Sequence, residues 1–264
     1  MRFVKPFALL LAAATVAGCH HQAAPRLSLN PLIATPKSID SMWNLAVDLY
    51  TRHKWEEAAT MFDRVKLELP PGDRRVLTGR LYLGELYVRG GSYLQGVREY
   101  RRLVDEFPAD SLAPEALLRA AGAYRALWRA PDLDATYGVT AQSVYSELLT
   151  RYPVSPAAAK AKEEMQGLDN WFAQKSYKAA SFYIKYKAYE AAIIYLKALA
   201  VDYPRATIVP TALADLISVY RILGYTEDIK DKCAFMRVDW AATPQFAKAC
   251  PQPPVVPAEK SAGS

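Results

Sequence analysis

One spacing recurs four times along the chain, and it limits the possible folds more than any other feature. An alanine or glycine is followed four residues later by a large apolar residue and twelve residues later by a proline. Residues four apart lie on one face of an α-helix, and proline cannot continue a helix. Each copy therefore predicts the second helix of a helix–turn–helix unit. The four copies are Ala58, Phe62 and Pro70; Gly96, Tyr100 and Pro108; Ala141, Tyr145 and Pro153; and Ala192, Leu196 and Pro204.

This spacing resembles the second half of the tetratricopeptide repeat, a helix pair of about 34 residues that stacks into a superhelix. We therefore predict an all-α fold, a right-handed superhelical solenoid of about five repeats within residues 36–240. The sequence after residue 240 is rich in proline, so we expect 241–264 to be a disordered tail. The predicted repeats are 38–70, 74–108, 111–153, 155–204 and 207–240.

Two stretches depart from the regular repeat. Ala121 and Ala141 are 20 residues apart, about eight more than the roughly twelve that separate such positions in a standard repeat. Trp128 lies in this insertion, either as a packed anchor of the loop or as a contact for a partner. From Ser155 to about Tyr186 the apolar residues keep a helical period, which predicts one long helix shared by the third and fourth repeats.

The N-terminus has the pattern of a targeting segment. Two basic residues precede a short apolar run at 7–14, and Val16, Ala17, Gly18 and Cys19 follow. These four residues resemble the lipobox of bacterial lipoproteins. The resemblance implies a signal peptide at 1–18, cleavage between Gly18 and Cys19, and a lipid on Cys19 as the anchor, with no other cofactor. A plain secretion signal with a chance cysteine is the alternative.

The lipobox resemblance also implies where the mature protein would lie. His20 follows the cysteine, where an inner-membrane retention signal would have aspartate, so the outer membrane is favoured. Residues 19–35 carry prolines and little periodicity, and they predict an extended tether between the lipid and the repeats.

The two remaining cysteines, Cys233 and Cys250, are 17 residues apart. An oxidising compartment allows them to form a disulfide. The alternative is one buried and one exposed thiol, and the sequence leaves both open.

Composition argues against catalysis and nucleic-acid binding. The net charge is +6, and basic residues alternate with acidic ones, which is typical of a solvated surface rather than a nucleic-acid interface. Only three histidines occur, two of them beside Cys19, so no metal site or nucleophile–histidine pair can be assembled. We therefore predict that the protein is not an enzyme and binds no metal.

Five consecutive strings extend the resemblance from the repeat to one family. The chain resembles the BamD/ComL family, outer-membrane lipoproteins of the β-barrel assembly (BAM) machinery, over roughly 36–240. The strings are ELLTRYPVS at 147–155, AAAKAKEEM at 157–165, LDNWFA at 168–173, YKAASFY at 177–183 and AYEAAIIY at 188–195.

The resemblance implies a scaffold at the periplasmic face of the outer membrane. Its C-terminal repeats would hold the periplasmic part of the barrel-inserting protein BamA, with other BAM lipoproteins as further partners. Its N-terminal repeats would receive unfolded outer-membrane proteins. Tyr189, Tyr195 and Lys197 are the candidate BamA contacts, and Tyr195 stands where the family often has a basic residue.

Aromatic residues on first helices are the candidates for substrate capture, because first helices line the inner face of such a solenoid. They are Trp43, Tyr50, Tyr82 and Tyr87, with packing in the core as the alternative role of each.

Two other functions fit parts of the sequence. Another envelope adaptor with these repeats, such as a pilus-assembly pilotin or a cell-division coordination lipoprotein, would share the lipobox and the spacing. A peptidoglycan lyase with a helical superhelix would need a catalytic domain for which the chain has no room.

Overall fold

The computed structural model describes residues 38–70 and 72–250, and these residues form an all-α solenoid, as the repeat spacing predicted. The signal peptide, Gly18, Cys19, the tether and residues 251–264 lie outside the described part. The helices are α1 Ile39–Thr51, α2 Trp55–Glu68, α3 Arg75–Arg89, α4 Tyr93–Glu106, α5 Ala113–Leu127, α6 Thr136–Arg151, α7 Pro156–Lys185, α8 Tyr189–Asp202, α9 Val209–Leu223, α10 Thr226–Trp240 and α11 Pro244–Ala249.

The helices pack in consecutive pairs, from α1 with α2 to α9 with α10. The first helix of one pair also contacts the first helix of the next: α3 with α5, α5 with α7 and α7 with α9. Within the described range, second helices do not contact one another in this way. The first helices therefore line the inner side of the solenoid, as expected for this repeat.

Glycines bring the paired helices α3 and α4 close together. A Cβ atom at Gly96 would lie 2.6 Å from the carbonyl oxygen of Gly84, and one at Gly84 would overlap the ring of Tyr100. Gly96 and Tyr100, the small and large residues of the repeated spacing, thus both pack against Gly84 of α3. The ring of Tyr100 fills the space that Gly84 leaves.

The insertion in the third repeat is anchored by Trp128, which is only 1% exposed. Its ring packs against Trp171 and Phe172 of α7, with ring centroids 5.4 and 4.7 Å away, and covers Gly138 of α6. Of the two roles considered from the sequence, the structure has the packed anchor. Two lysines of α7 hold the rest of the loop: Lys178 pairs with Asp132 at 3.1 Å, and Lys175 donates to the carbonyl oxygen of Leu133 at 2.7 Å.

The expected boundary at residue 240 is wrong, because ordered structure continues to Cys250. The Thr243 hydroxyl accepts a hydrogen bond from the Phe246 amide, and Pro244 occupies the first turn of α11. These are ordinary helix-start residues that a proline count alone overlooks. Phe246 and Ala249 are buried in the cluster around α9.

A disulfide joins Cys233 of α10 to Cys250, with Cα atoms 5.7 Å apart. Of the two alternatives that the sequence left open, a disulfide or two free thiols, the structure contains the disulfide. Arg221 of α9 also donates to the carbonyl oxygen of Ala249 at 2.8 Å. The end of α11 is therefore attached to both helices of the last pair.

We predict opposite effects for the same change at two helical glycines. A methyl group at Gly138 would overlap the ring of Trp128, so Gly138→Ala should lower the free energy of unfolding by about 1 to 3 kcal/mol. At Gly122 the nearest atom to a new Cβ is the Tyr145 hydroxyl at 3.9 Å. Gly122→Ala should therefore be neutral or stabilising by up to about 1 kcal/mol, since alanine favours helix. Urea unfolding of the two variants measures both effects, and equal losses would contradict the anchoring role of Trp128.

Candidate protein-binding surfaces

A chain of aromatic rings lies across the first repeat and the start of the second; we name it the aromatic floor. Consecutive centroids are 5.5 Å apart for Trp43 and Phe62, 4.9 Å for Phe62 and Tyr82, 4.6 Å for Tyr82 and Tyr50, and 5.6 Å for Tyr50 and Trp55. Phe62 is fully buried, whereas the other four rings are half-buried and keep part of their surface accessible. The floor both fills the core of the first repeat and presents aromatic surface.

The structure thus brings together three of the four residues predicted for substrate capture, namely Trp43, Tyr50 and Tyr82. Tyr87 packs on the same buried cluster but is not part of this chain of rings. Its hydroxyl donates to Asp63 of α2 at 2.5 Å, so it connects the first two repeats. Burial and this carboxylate raise the pKa of Tyr87 well above its ordinary value.

Charged residues connect α1, α3 and α5 beside the floor. Glu85 accepts hydrogen bonds from Tyr50 at 2.9 Å and Arg89 at 2.9 Å, and its second oxygen accepts from Arg119 at 3.0 Å. The Arg89 guanidinium also lies 4.8 Å from the centre of the Trp55 ring. Burial alone would raise the pKa of Glu85, but the hydrogen bonds from Arg89 and Tyr50 and the charge of Arg119 outweigh it and lower this pKa. Glu85 is therefore held as a carboxylate.

A second aromatic surface lies where α7 ends and α8 passes; we name it the aromatic patch. It consists of Phe182, Tyr183, Tyr186 and Tyr195. The Phe182 ring lies 5.6 Å from Tyr183 and 4.6 Å from Tyr186, and Tyr183 stacks on Tyr195 at 5.3 Å. Tyr186 is 64% exposed and Tyr195 38% exposed. Rings that stack on one another and still face solvent form a preassembled surface for a partner.

The three residues predicted as a BamA interface do not form one surface. Tyr195 belongs to the aromatic patch. Tyr189 is half-buried and packs on the core cluster of α7, α8 and α9. The Lys197 ammonium lies 5.6 Å from the centre of the Tyr220 ring, on the side of α8 that faces α9.

Sequence reasoning missed Phe182 and Tyr186. Tyr183 lies in the stretch for which the sequence predicts one long helix, but the helical period did not identify it as part of a surface. The sequence does contain a sign of this surface, namely three aromatic residues within five positions at the end of a long helix. One buried stripe of a helix cannot contain all three, so at least one must be exposed.

Across residues 38–70 and 72–250, no three His, Cys, Asp or Glu side chains lie close enough together to hold a metal ion. No helix in the same part of the chain combines the length and apolar character needed to cross a membrane.

Comparison with known families decides the relationship. The family model YfiO, described as outer membrane lipoprotein, matches residues 37–234, which is most of the chain. The chain belongs to the YfiO outer membrane lipoprotein family. This match confirms the BamD-like resemblance, and the matched range contains both the aromatic floor and the aromatic patch.

Several solved structures have similar repeats. The TPR2AB domain of yeast Sti1, in a pHSP90 complex, has a TM-score of 0.43 and 13% identity over 81% of this chain and 78% of that one. The protein TTC0263 of Thermus thermophilus has a TM-score of 0.36 and 18% identity over 80% and 98% of the two chains. Neither likeness is close enough to say more about this protein. No curated protein sequence matches the chain.

We predict that Glu85 stabilises the fold in a pH-dependent way. Glu85→Gln removes the charge that Arg89 and Arg119 contact, so it should cost about 1 to 2 kcal/mol of unfolding free energy at neutral pH. The pKa of Glu85 is lower in the folded chain than its ordinary value of 4.5. The stabilisation is therefore present above the unfolded-state value and is lost as the pH falls through the folded-state pKa.

Urea unfolding at pH 7 and at stepwise lower pH measures this difference between parent and variant. Glu57→Gln is the control, because the Glu57 side chain is 40% exposed and pairs with Lys54 at 3.4 Å within one turn of α2. Such a surface pair contributes little. A Glu85→Gln effect that stays constant down to acid pH would contradict the assignment.

Proposed function

We propose that the chain is a non-catalytic scaffold lipoprotein of the outer-membrane β-barrel assembly complex. A lipid on Cys19 would hold it at the periplasmic face of the outer membrane. The observation that carries the proposal is the pair of aromatic surfaces, one in the first two repeats and one in the fourth, on a member of an outer-membrane lipoprotein family. Two separate surfaces on one solenoid suit a protein that holds two partners at once.

The aromatic patch is the proposed site for the periplasmic domains of a BamA-like protein. Tyrosine and phenylalanine bury large areas at low entropic cost and are favoured at the centres of interfaces. Two exposed lysines lie next to the patch, Lys185 as the last residue of α7 and Lys187 in the turn that follows. The patch therefore suits a partner with acidic residues around an apolar centre.

Binding to the purified periplasmic domains of the organism's own BamA tests this site. Tyr186→Ala combined with Tyr195→Ala should raise the Kd by about 10- to 100-fold, as expected for two central aromatic contacts. Phe235→Ala is the control, because Phe235 is an exposed aromatic on α10 away from the patch, and its Kd should stay close to that of the parent. Undetectable binding of the parent chain would overturn the BamA assignment. Equal losses of affinity in variant and control would mean that BamA contacts a surface other than the aromatic patch.

The aromatic floor is the proposed site for unfolded outer-membrane proteins. Its half-buried rings are held by Glu85 and Arg89, so they can take apolar side chains of an extended segment without being reordered. The carboxylate and guanidinium groups beside the rings offer hydrogen bonds to the segment's backbone.

A barrel protein kept unfolded in urea and then diluted with the chain provides the test. Trp55→Ala removes the accessible end of the floor and should weaken binding about tenfold, as expected for loss of one aromatic hot spot. Trp240→Ala makes the same change on α10 and should leave binding unchanged. Circular dichroism melts confirm that both variants fold. If both variants bind like the parent, the floor serves only as core.

A pull-down from solubilised envelopes separates the BAM role from the other adaptor roles. Recovery of BamA and further BAM lipoproteins supports the proposal. Recovery of pilus or division proteins without BamA would mean that the repeats serve a different assembly.

A further inference from the structure

We propose that the proline-rich segment 251–257 of this chain binds in the groove between α7 and α9, as an intramolecular occupant of the inner side of the last two repeats. The proposal is independent of the function proposed above. It rests on the groove, on the point where the described chain ends, and on the composition of the segment that follows.

The groove lies between two first helices that touch only lightly. Its walls are apolar at Ile184, Val219 and Ile222, and Ile222 is 60% exposed whereas Val219, one turn earlier, is buried. At the far end the Tyr177 hydroxyl donates to Asp215 at 2.6 Å. The lining residues are Ser181 and Ile184 of α7 and Asp215, Ser218, Val219 and Ile222 of α9.

The two serine hydroxyls of the groove are used within their own helices, so an extended segment would bind mainly through apolar contacts with Ile184, Val219 and Ile222. The Ser181 hydroxyl donates to the carbonyl oxygen of Tyr177, and the Ser218 hydroxyl donates to that of Ala214, both at 2.9 Å. The serine oxygens remain available as acceptors, while no hydroxyl hydrogen is left for the backbone carbonyls of an extended chain. Those carbonyls would face solvent, as they do when a polyproline helix lies on an apolar groove.

The described chain ends against α9, one of the two helices that line the groove. Arg221 holds the carbonyl oxygen of Ala249, and Ile222, the next residue of α9, lines the groove. The disulfide from Cys250 to Cys233 fixes the same point a second time. The last described residue is therefore held in a fixed position against the last helix pair.

Length and composition match the groove. Residues 251–257 read PQPPVVP, with four prolines, two valines and no charge, and the first charges follow only at Glu259 and Lys260. In a polyproline conformation seven residues cover about 22 Å. The groove from Ile222 to Asp215 follows seven residues of α9, about 10 Å. The segment is therefore long enough to cross from Arg221 and lie along the groove, and a tethered segment binds at a high effective concentration.

Site-specific photo-cross-linking in the full chain tests the proposal. A benzophenone amino acid replaces Val256, the dilute protein is irradiated, and the cross-linked peptides are identified by mass spectrometry. We expect the main cross-links within one chain, to residues 181–184 of α7 or 218–222 of α9. Cross-links to other helices, cross-links between two copies, or a yield no higher than in urea-unfolded chain would each overturn the proposal.

A matched pair of substitutions checks that the groove itself is responsible. Ile222→Lys should lower the cross-linking yield about tenfold, because it places an ammonium group in the apolar wall. Val238→Lys is the control, since Val238 is 80% exposed on α10 outside the groove, and its yield should not change. Both positions are exposed, so both variants should keep the melting temperature of the parent. An equal yield from Ile222→Lys and the parent would refute binding in this groove.

Discussion

The close approach of the two helices in each repeat is the contact on which the rest of the solenoid depends. It requires a residue with little or no side chain on one helix and a large ring or leucine nearby. Gly84, Gly96 and Tyr100 meet this requirement in the second repeat, and the fully buried Ala141 and Tyr145 do so in the third. Because the fold buries apolar surface only between neighbouring helices and repeats, the stability of the stack depends on this contact in each pair.

Electrostatic contacts are distributed unevenly along the stack. Glu99 of α4 is the single buried charged side chain in the described ranges, and Lys66 of α2 and Arg80 of α3 both pair with it at 3.2 Å. Loss of one partner from such a group leaves an uncompensated charge, so this contact fixes how the first two repeats meet. From α8 onwards, within the part that the structure describes, polar contacts between helices are hydrogen bonds, including those from tyrosine hydroxyls, rather than ion pairs. The Tyr225 hydroxyl, for example, reaches Glu190 at 2.9 Å.

The long helix α7 connects the ion-paired repeats at the start of the stack to the last two repeats. Trp128 of the insertion packs on the middle of α7, and the C-terminal end of α7 supplies part of the aromatic patch and one wall of the groove with α9. Both surfaces are thus built on one continuous helix.

Local patterns in the chain were enough to establish the class of fold, the order of the helix pairs, the insertion before Ala141 and the length of α7. Helical periodicity, small residues at fixed intervals and terminal prolines act over a few neighbouring residues, so they can be recognised without the fold. The family relationship was also visible in the strings from 147 to 195, and the family match confirms it.

Which aromatic residues share a surface depended instead on tertiary packing. Tyr189, Tyr195 and Lys197 lie within nine positions of one another, yet they contact three different neighbours, because a helix turns each residue by about 100°. Helix α11 likewise depends on Phe246 packing against α9 and on the disulfide of Cys250, since a six-residue helix has no stability until something packs on it.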